Sequence, residues 1–230
     1  LYNTSINSVL FHWYNKNKRN LPWRDIHDPY RIWLSEVMLQ QTQVNTVIPY
    51  YNKWIAKYPT LSSVAESQID DLLKLWEGLG YYSRCRNFFK ACQIIMNEYE
   101  GNIPSNIIEF KSLPGVGPYI AGAVMSIAFN NPQPAIDGNI NRIMFRYLGL
   151  KNQTKYNKTR IYSKLSTFIS LNPGDIIQAL MDIGSSICKP NSASCDQCPL
   201  SISCKGFLNG SPLRYPIYKN KKSLPVKNII

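Results

Sequence analysis

The sequence predicts an all-α fold, and two observations carry that prediction. Apolar residues recur at helical spacing, three and four positions apart, in nearly every segment of the 230-residue chain. Runs in which apolar and polar residues alternate, as they do in half-buried strands, are hard to find. We therefore expect short helices joined by tight turns.

Caps and helix breakers set the boundaries of the elements. Asp28 is an N-cap followed by Pro29 at the first helical position. Thr42 is expected to cap the next helix, which must accommodate Pro49 by a kink or a late start. In chain order, we expect helices ending near residue 18 and over residues 28–40, 42–58, 68–76, 82–99, 107–112, 118–129, 137–147, 159–170 and 175–188. The cysteine segment is expected to be a loop, and residues 219–222 part of an extended tail or linker.

The composition excludes a chain that is disordered throughout or built to span a membrane. It is 44% hydrophobic and 12% aromatic. The longest apolar stretch, residues 119–129, falls well short of the roughly 18 residues that a membrane span needs. The first residues lack a basic region before an apolar core, so nothing marks the chain for secretion. We expect a protein of the bacterial cytoplasm and nucleoid, or of a nucleus.

Basic charge is concentrated toward the C-terminal end. Residues 151–230 hold 12 of the 26 Lys and Arg but 3 of the 14 Asp and Glu, and the net charge of the chain is +12. A basic surface of this kind suits a polyanion such as nucleic acid. Many soluble basic proteins have no such partner, so the charge alone leaves both interpretations open.

Four of the six cysteines lie close together in the sequence, separated by six, two and five residues: Cys188, Cys195, Cys198 and Cys204. Four thiolates brought together can bind zinc or an iron–sulfur cluster. Two disulfides are a third possibility, against which the missing secretion signal argues. The number of ligands does not separate zinc from an iron–sulfur cluster. Cys85 and Cys92, seven residues apart, are expected to be buried packing residues.

The LPGVG segment at residues 113–117 resembles the hairpin of a helix-hairpin-helix DNA-binding motif. Glycines let the backbone approach a phosphate closely, and the amides that start the next helix supply donors and a favourable dipole. Gly115, Val116 and Gly117 are therefore the expected contacts to a DNA backbone, independent of base sequence. A simple turn is the plain alternative.

Two carboxylates stand in contrasting settings. Glu36 lies mid-helix among apolar neighbours, where desolvation should raise its pKa and let it act as a general acid. Asp137 precedes a helix, whose positive end should keep its pKa low. A protonated and an ionised carboxyl group together supply the two roles that glycosidic bond cleavage requires. The alternatives are a glutamate at the rim of its face and an aspartate that only caps its helix.

Motifs spread over nearly the whole chain resemble those of the MutY-type adenine DNA glycosylases of the endonuclease III superfamily. They are LPWR at 21–24, WLSEVMLQQT at 33–42, GLGYY at 78–82, LPGVG at 113–117, DGN at 137–139 and the four cysteines. The resemblance implies a helix-hairpin-helix DNA glycosylase fold and one four-iron four-sulfur cluster on those cysteines. It also implies a monomer that removes adenine mispaired with 8-oxoguanine or guanine from double-stranded DNA in base excision repair.

The resemblance also implies a domain arrangement. An N-terminal helix (1–22) would pack with the cluster domain. A six-helix barrel domain (23–130) would contain the helix-hairpin-helix (about 107–130). The cluster domain (131–210) would contain the cysteine loop (188–204), and residues 211–230 would form a linker or tail. Members of the family usually continue into a second domain that reads 8-oxoguanine. This chain stops soon after residues 224–226, where that domain would begin, so a fragment or a version without it is expected, and the preference for 8-oxoguanine over guanine stays open.

By resemblance, Glu36 protonates the imidazole ring of adenine and Asp137 stabilises the oxocarbenium ion, directly or through a transient covalent bond. Asn139 helps to position water and sugar. Tyr119 stands where bifunctional relatives have a lysine that cuts the strand through a Schiff base, so efficient strand cleavage is not expected.

Other residues match positions that contact the DNA. Gln41 and Tyr81 match residues that wedge into the duplex while adenine is flipped out. The cluster loop would present Lys189 and Lys205 toward phosphates, with ordinary solvated lysines as the plain alternative. The matches to the adenine pocket are Trp23, Arg24, Leu39 and Gln178. Two other functions are considered: a bifunctional glycosylase and lyase acting on oxidised pyrimidines, and a non-catalytic DNA-binding or electron-relaying iron–sulfur protein.

Overall fold

The computed structural model describes residues 5–217, and this part of the chain is helical with no β-strand. Its α-helices are α1 (Ile6–Asn17), α2 (Pro29–Leu39), α3 (Val44–Lys57), α4 (Leu61–Ala65), α5 (Ile69–Trp76), α6 (Ser83–Glu98), α7 (Ile107–Ser112), α8 (Pro118–Ile127), α9 (Gly138–Leu148), α10 (Lys155–Phe168), α11 (Pro173–Ser186) and α12 (Lys205–Leu208). The all-α prediction is confirmed. None of these helices has the length and apolarity that crossing a membrane requires. The tail expected around residues 219–222 lies outside the described residues.

The start of α2 follows from its sequence. Asp28 accepts hydrogen bonds from the amides of Tyr30 (2.9 Å) and Arg31 (3.3 Å), with proline at the first helical position. This cap satisfies amides that have no partner inside the helix. The predicted start of α2 is confirmed.

The start of α3 differs from the prediction. Gln43, not Thr42, is the N-cap, and no side chain caps this helix. The Thr42 hydroxyl instead donates to the carbonyl of Gln40, at 3.3 Å. Pro49 lies inside α3. The capping prediction for Thr42 is therefore wrong, because its hydroxyl is used in the preceding loop.

Local capping starts two helices at positions where no helix start is predicted. The short helix α4 was not expected, although Thr60 and Ser63 form a reciprocal capping box at its start. Helix α10 begins at Lys155, inside the segment interpreted as a polar connection, because the Thr154 side chain accepts from the amide of Asn157. In both places a threonine followed by a polar residue three positions later is the sequence signal.

An aromatic core holds α2 in place. The Trp33 ring lies 4.5 Å from the ring of Phe88 on α6 and 5.3 Å from that of Phe110 on α7. Trp54 on α3 and Trp76 on α5 extend the cluster, 5.7 Å apart. All five are almost completely buried, and burying a large apolar side chain contributes about 1.5–3 kcal/mol. Because Trp33 and Glu36 share α2, this core also fixes the position of the carboxyl group.

The remaining helices assemble around α11. Helix α1 packs on α11, which also contacts α8 and α9, and α9 contacts α10 and α12. Tyr215 is buried, and Arg146 on α9 donates to its carbonyl at 3.2 Å. The described part of the expected tail thus packs against α9. The division into a barrel domain and a cluster domain stays a prediction.

Candidate active site

A cleft of about 710 Å³ brings together residues that are far apart in the sequence. Its walls come from the loop after α2, the loop before α6, the start of α8 and the start of α9. Six of the predicted site residues line it: Leu39, Gln41, Tyr81, Tyr119, Asp137 and Asn139.

A second, smaller cavity of about 40 Å³ contains the predicted acid and the predicted adenine pocket. It is lined by Glu36 and by all four residues that matched the adenine pocket: Trp23, Arg24, Leu39 and Gln178. Leu39 lines both spaces, so the cavity adjoins the cleft at that side chain. Its volume is far below the roughly 300 Å³ or more of common ligand pockets, so a bound base requires Leu39 or a neighbouring side chain to move.

Glu36 is held in a dry setting. It is 4% exposed, and its Oε2 accepts a hydrogen bond of 2.6 Å from the Tyr119 hydroxyl. Burial raises the pKa of Glu36, while the Tyr119 hydrogen bond and the nearby Arg24 charge oppose that shift. Burial and the Glu36 carboxyl group also raise the pKa of Tyr119, so the phenol remains a donor. The predicted rise in the pKa of Glu36 is confirmed.

Arg24 is tied to the second layer of the site. Its Nη1 donates to the Tyr14 hydroxyl at 2.6 Å, and its Nη2 contacts Asp182 Oδ1 at 3.2 Å. Asp182, on α11, also accepts from Arg19 Nε at 2.7 Å. Asp182 and Arg24 are both buried. The positive charge beside Glu36 is therefore compensated by a buried carboxylate, which sequence reasoning did not single out.

Asp137 caps α9. Its Oδ1 accepts from the amide of Ile140 at 2.7 Å, and its Oδ2 accepts from Asn139 Nδ2 at 3.0 Å. The prediction that its pKa is kept low is wrong. Burial raises the pKa of Asp137, and the bonds to Ile140 and Asn139 together with the Arg142 charge only oppose this rise. The helix end gives this carboxylate hydrogen-bond donors, but desolvation outweighs them.

Asn139 is fixed between Asp137 and Arg142. Its Oδ1 accepts from Arg142 Nη2 at 2.9 Å. Arg142 also donates to the carbonyl of Gly184 at 2.7 Å and, through Nε, to the carbonyl of Cys188 at 2.9 Å. A side chain at Gly184 would place its Cβ 2.6 Å from Asn139 Cβ, so glycine is needed for α9 and α11 to approach this closely.

The hairpin before α8 leaves its backbone open. Gly115 has φ +78°, and a Cβ there would lie 2.8 Å from Asn87 Cβ, so only glycine fits. Gly117 is the N-cap of α8 without a side-chain cap, and a Cβ there would meet no atom within 4 Å. Val116 is buried and its amide donates to Leu113 at 3.1 Å. Val116 therefore shapes the turn, while the amides at the start of α8 can face a phosphate.

The two residues predicted to wedge into DNA share an unusual backbone. Gln41 has φ +59° and Tyr81 has φ +50°, and this left-handed region costs a residue other than glycine about 1–3 kcal/mol. Both side chains are exposed, with Tyr81 58% accessible. Such strain persists only where the surroundings impose it. Sequence reasoning gave no signal of this strain, nor of Arg84, the buried side chain that lies between the two loops.

The four cysteines of residues 188–204 line one cavity, together with Ile143 and Arg146 of α9. Arg146 Nη1 lies 3.2 Å from the Cys188 Sγ. Within residues 5–217, no three His, Cys, Asp or Glu side chains are arranged to hold a single metal ion. Cys85 and Cys92 are fully buried on α6, as predicted.

The family comparison matches residues 34–166 to the HhH-GPD superfamily base excision DNA repair proteins. Curated proteins named adenine DNA glycosylase are similar over most of the chain. One from Buchnera aphidicola (subspecies Baizongia pistaciae) is 38% identical, covering 94% of this chain and 62% of that protein. The one from Homo sapiens is 37% identical, covering 91% and 43%. The chain therefore spans less than two thirds of the length of these relatives.

Solved structures show the same fold. A thermostable thymine-DNA glycosylase superposes with a TM-score of 0.79 at 27% identity, covering 88% of this chain and 95% of that one. Endonuclease III, trapped as a covalent intermediate with DNA, superposes with a TM-score of 0.71 at 22% identity, covering 89% and 94%. At that identity the second likeness concerns the fold alone.

Proposed function

The chain belongs to the HhH-GPD superfamily of base excision DNA repair proteins, and on this basis we propose that it is a monofunctional adenine DNA glycosylase. It hydrolyses the N-glycosidic bond of an adenine mispaired with guanine or 8-oxoguanine in double-stranded DNA. One observation carries the proposal. A buried glutamate lies in a cavity that adjoins a cleft containing a second carboxylate, Asp137, and the four adenine-pocket matches line that cavity.

Glu36 supplies the acid. Its raised pKa, which burial causes, favours the protonated form, and Tyr119 orients it through the bond to Oε2. Transfer of the proton to the imidazole ring lets the base take the electrons of the breaking C–N bond and leave as neutral adenine. General acids of this kind accelerate reactions by about a hundredfold to ten-thousandfold.

Asp137 stabilises the sugar cation that this bond cleavage leaves behind. The bonds from Ile140 and Asn139 favour its ionised form against the effect of burial. Asn139, itself fixed by Arg142, is placed to orient the attacking water. Water adds to C1′ of the sugar and loses its proton, which Glu36, now ionised, can accept.

Strand cleavage is not part of the proposed reaction. A lyase of this type uses an amine that forms a Schiff base with the sugar. Among the described residues that line the cleft and the cavity there is no lysine. The Tyr119 hydroxyl donates a hydrogen bond to Glu36. Borohydride should therefore trap no covalent complex, and trapping in good yield would favour a bifunctional enzyme.

The hairpin and the basic surface bind the DNA backbone. The amides at the start of α8 face a phosphate beside Gly117, and exposed lysines such as Lys189 and Lys205 add attraction near the cysteine loop. Gln41 and Tyr81 enter the duplex as adenine turns out of the stack. The protein acts as a monomer. It works in the compartment that contains the genome, a nucleoid or a nucleus.

Cys188, Cys195, Cys198 and Cys204 would hold one four-iron four-sulfur cluster. The support is four soft donors around one cavity, with the Arg146 guanidinium beside the Cys188 sulfur. When bound, the cluster would crosslink the loop of residues 188–204. The optical spectrum of the purified protein tests this assignment, because an iron–sulfur cluster absorbs visible light and zinc does not.

The activity is tested with duplexes that contain adenine opposite guanine, 8-oxoguanine or thymine. We expect free adenine from the first two, little from the third, and none from the first two with Glu36→Gln. Release from the adenine–thymine pair at an equal rate, or full activity of Glu36→Gln, would contradict the proposal. The ratio of rates for 8-oxoguanine and guanine measures the preference that the sequence leaves open.

A further inference from the structure

The two Nη atoms of Arg84 make six hydrogen bonds within the protein, although this residue takes no part in the proposed chemistry. It lies in the first turn of α6 and is 9% exposed. Its Nη1 donates to three carbonyl oxygens at the end of α2, those of Val37 (3.0 Å), Met38 (2.8 Å) and Gln40 (2.6 Å). The last carbonyls of a helix have no partners within it, and a cation there satisfies them.

The other nitrogen of the same guanidinium reaches a different loop. Nη2 donates to the carbonyls of Leu79 (3.2 Å) and Gly80 (3.1 Å), and to the Thr42 hydroxyl (3.3 Å). The guanidinium carbon also lies 5.4 Å from the ring centroids of Trp76 and of Tyr81. One planar group therefore joins the loop after α2 to the loop before α6.

These two loops contain Gln41 and Tyr81, two of the six non-glycine residues with positive φ in the described part of the chain. Gln41 follows the Gln40 carbonyl that accepts from Nη1, and Tyr81 follows the Gly80 carbonyl that accepts from Nη2. Both residues have positive φ and both line the cleft. The contacts of Arg84 are thus on the peptide units next to the strained positions, where they can impose the backbone that would otherwise relax.

We propose that Arg84 is a positioning residue that fixes the Gln41 loop and the Tyr81 loop relative to each other, so that the two side chains enter DNA as one rigid wedge. The DNA half of this inference rests on the proposed function. The alternative, a direct contact of Arg84 with phosphate, is disfavoured because both Nη atoms are bonded inside the protein and the side chain is buried.

Lysine cannot replace this arginine. The forked guanidinium presents donors in two directions at once, whereas an ammonium is a compact charge that bonds around one point. Arg84→Lys therefore keeps the charge but cannot span both loops. Arg86, two residues later on the same helix and exposed, provides the matched control as Arg86→Lys. Thr42→Val removes a single acceptor and gives a milder second variant.

Amide hydrogen exchange tests the inference without DNA. In Arg84→Lys we expect about tenfold or faster exchange in residues 40–43 and 79–82 together, with residues 113–117 and the helix cores unchanged. Thr42→Val should show a smaller change in the same two segments, and Arg86→Lys none. Exchange unchanged in Arg84→Lys, or changed in only one of the two loops, would overturn the proposed coupling. If Arg84→Lys does not fold, Thr42→Val decides on the same criterion.

A fluorescent base tests the consequence for DNA. A duplex with 2-aminopurine in place of the target adenine, opposite guanine, should brighten when saturating wild-type protein or Arg86→Lys turns the base out. Arg84→Lys should give a several-fold smaller increase in fluorescence. On the corresponding duplex that contains adenine, its single-turnover rate of adenine release should be lower by about tenfold to a hundredfold. Its affinity for an undamaged duplex and the pH midpoints of its activity should be unchanged.

The outcomes separate the two proposals. Equal brightening by Arg84→Lys and wild type would refute the wedge role. Weakened binding to undamaged duplex with a reduced salt dependence would instead make Arg84 a phosphate contact and also refute it. If wild type itself gives no brightening and no adenine release, the proposed function fails, while the hydrogen-exchange result still decides whether Arg84 couples the loops.

Discussion

Glu36 and Asp137 are two carboxylic acids with raised pKa values, but their surroundings differ. Glu36 projects from the middle of α2, is 4% exposed, and has Tyr119 as its hydrogen-bond donor. Asp137 sits at the start of α9, is partly exposed, and accepts from Ile140 and Asn139. The rise in pKa that burial causes is therefore opposed by more hydrogen bonds at Asp137 than at Glu36. The proposed division of roles between the two carboxylates therefore depends on how many donors each one has, rather than on burial alone.

The largest expected effect on the rate comes from changing Glu36, the proposed general acid. Glu36→Gln keeps the shape but cannot donate the proton, so the single-turnover rate of adenine release should fall about a thousandfold or more. Glu98→Gln, at an exposed position, is the matched control and should be neutral. A loss of less than tenfold in Glu36→Gln would remove the distinction between the two carboxylates.

The second largest effect on the rate comes from changing Asp137, the proposed partner of the sugar cation. Asp137→Asn preserves a good N-cap for α9 but removes the negative charge, so we expect a rate about a hundred to a thousandfold lower. Melting temperature, measured beside the rate, checks that α9 is intact. Activity close to wild type would reduce Asp137 to a cap and leave the sugar cation without a partner.

Removing the hydroxyl of Tyr119 should shift the pH dependence of activity. The Tyr119 hydrogen bond lowers the pKa of Glu36, so Tyr119→Phe should raise that pKa further. Activity needs the protonated form, and the alkaline limb of the pH–rate profile should therefore move to higher pH, with a rate at the optimum roughly tenfold lower. Tyr156→Phe, at an exposed position on α10, should leave the profile in place. Movement of the limb to lower pH would contradict the assignment of the acid.

The smallest effect concerns DNA binding, which should be separable from both carboxylates. Gly117→Ala should cost the fold about 1 kcal/mol or less because its Cβ meets no atom within 4 Å, yet it should weaken duplex binding several-fold. Gly115→Ala should destabilise the fold by about 2 kcal/mol or more, since Gly115 has φ +78° and an added Cβ would lie 2.8 Å from Asn87 Cβ. Neither should change the pH midpoints. Equal affinity for DNA in Gly117→Ala would exclude the hairpin as a phosphate contact.

The sequence predicted the parts of the molecule that depend on local pattern. Asp28 before a proline located the start of α2, and apolar spacing placed Glu36 on a buried face, because both signals lie within one helix. Prediction from the sequence failed where other chain segments compete for the same hydrogen-bonding groups. Local pattern predicts Thr42 as a cap, but its hydroxyl donates to the Gln40 carbonyl and accepts from Arg84.

The pKa of Asp137 and the role of Arg84 could not be found from local pattern either. A helix N-terminus argues for a low pKa, and only the folded structure shows that packing around the start of α9 desolvates the carboxylate enough to reverse that expectation. Arg84 has no distinguishing neighbours in the sequence, since its partners come from residues 37–42 and 79–80. Whole-chain motif resemblance located the cleft residues, but not what holds them in place.

The most direct test of the account is the protonation of Glu36 itself. The side-chain carboxyl carbon can be followed by carbon-13 NMR across a pH titration, with Glu36→Gln identifying its signal. We predict a midpoint well above the value of about 4.3 found for hydrated glutamates. A midpoint at or below that value, in the free protein and with an uncleavable substrate analogue bound, would contradict the claim that this site holds its own acid.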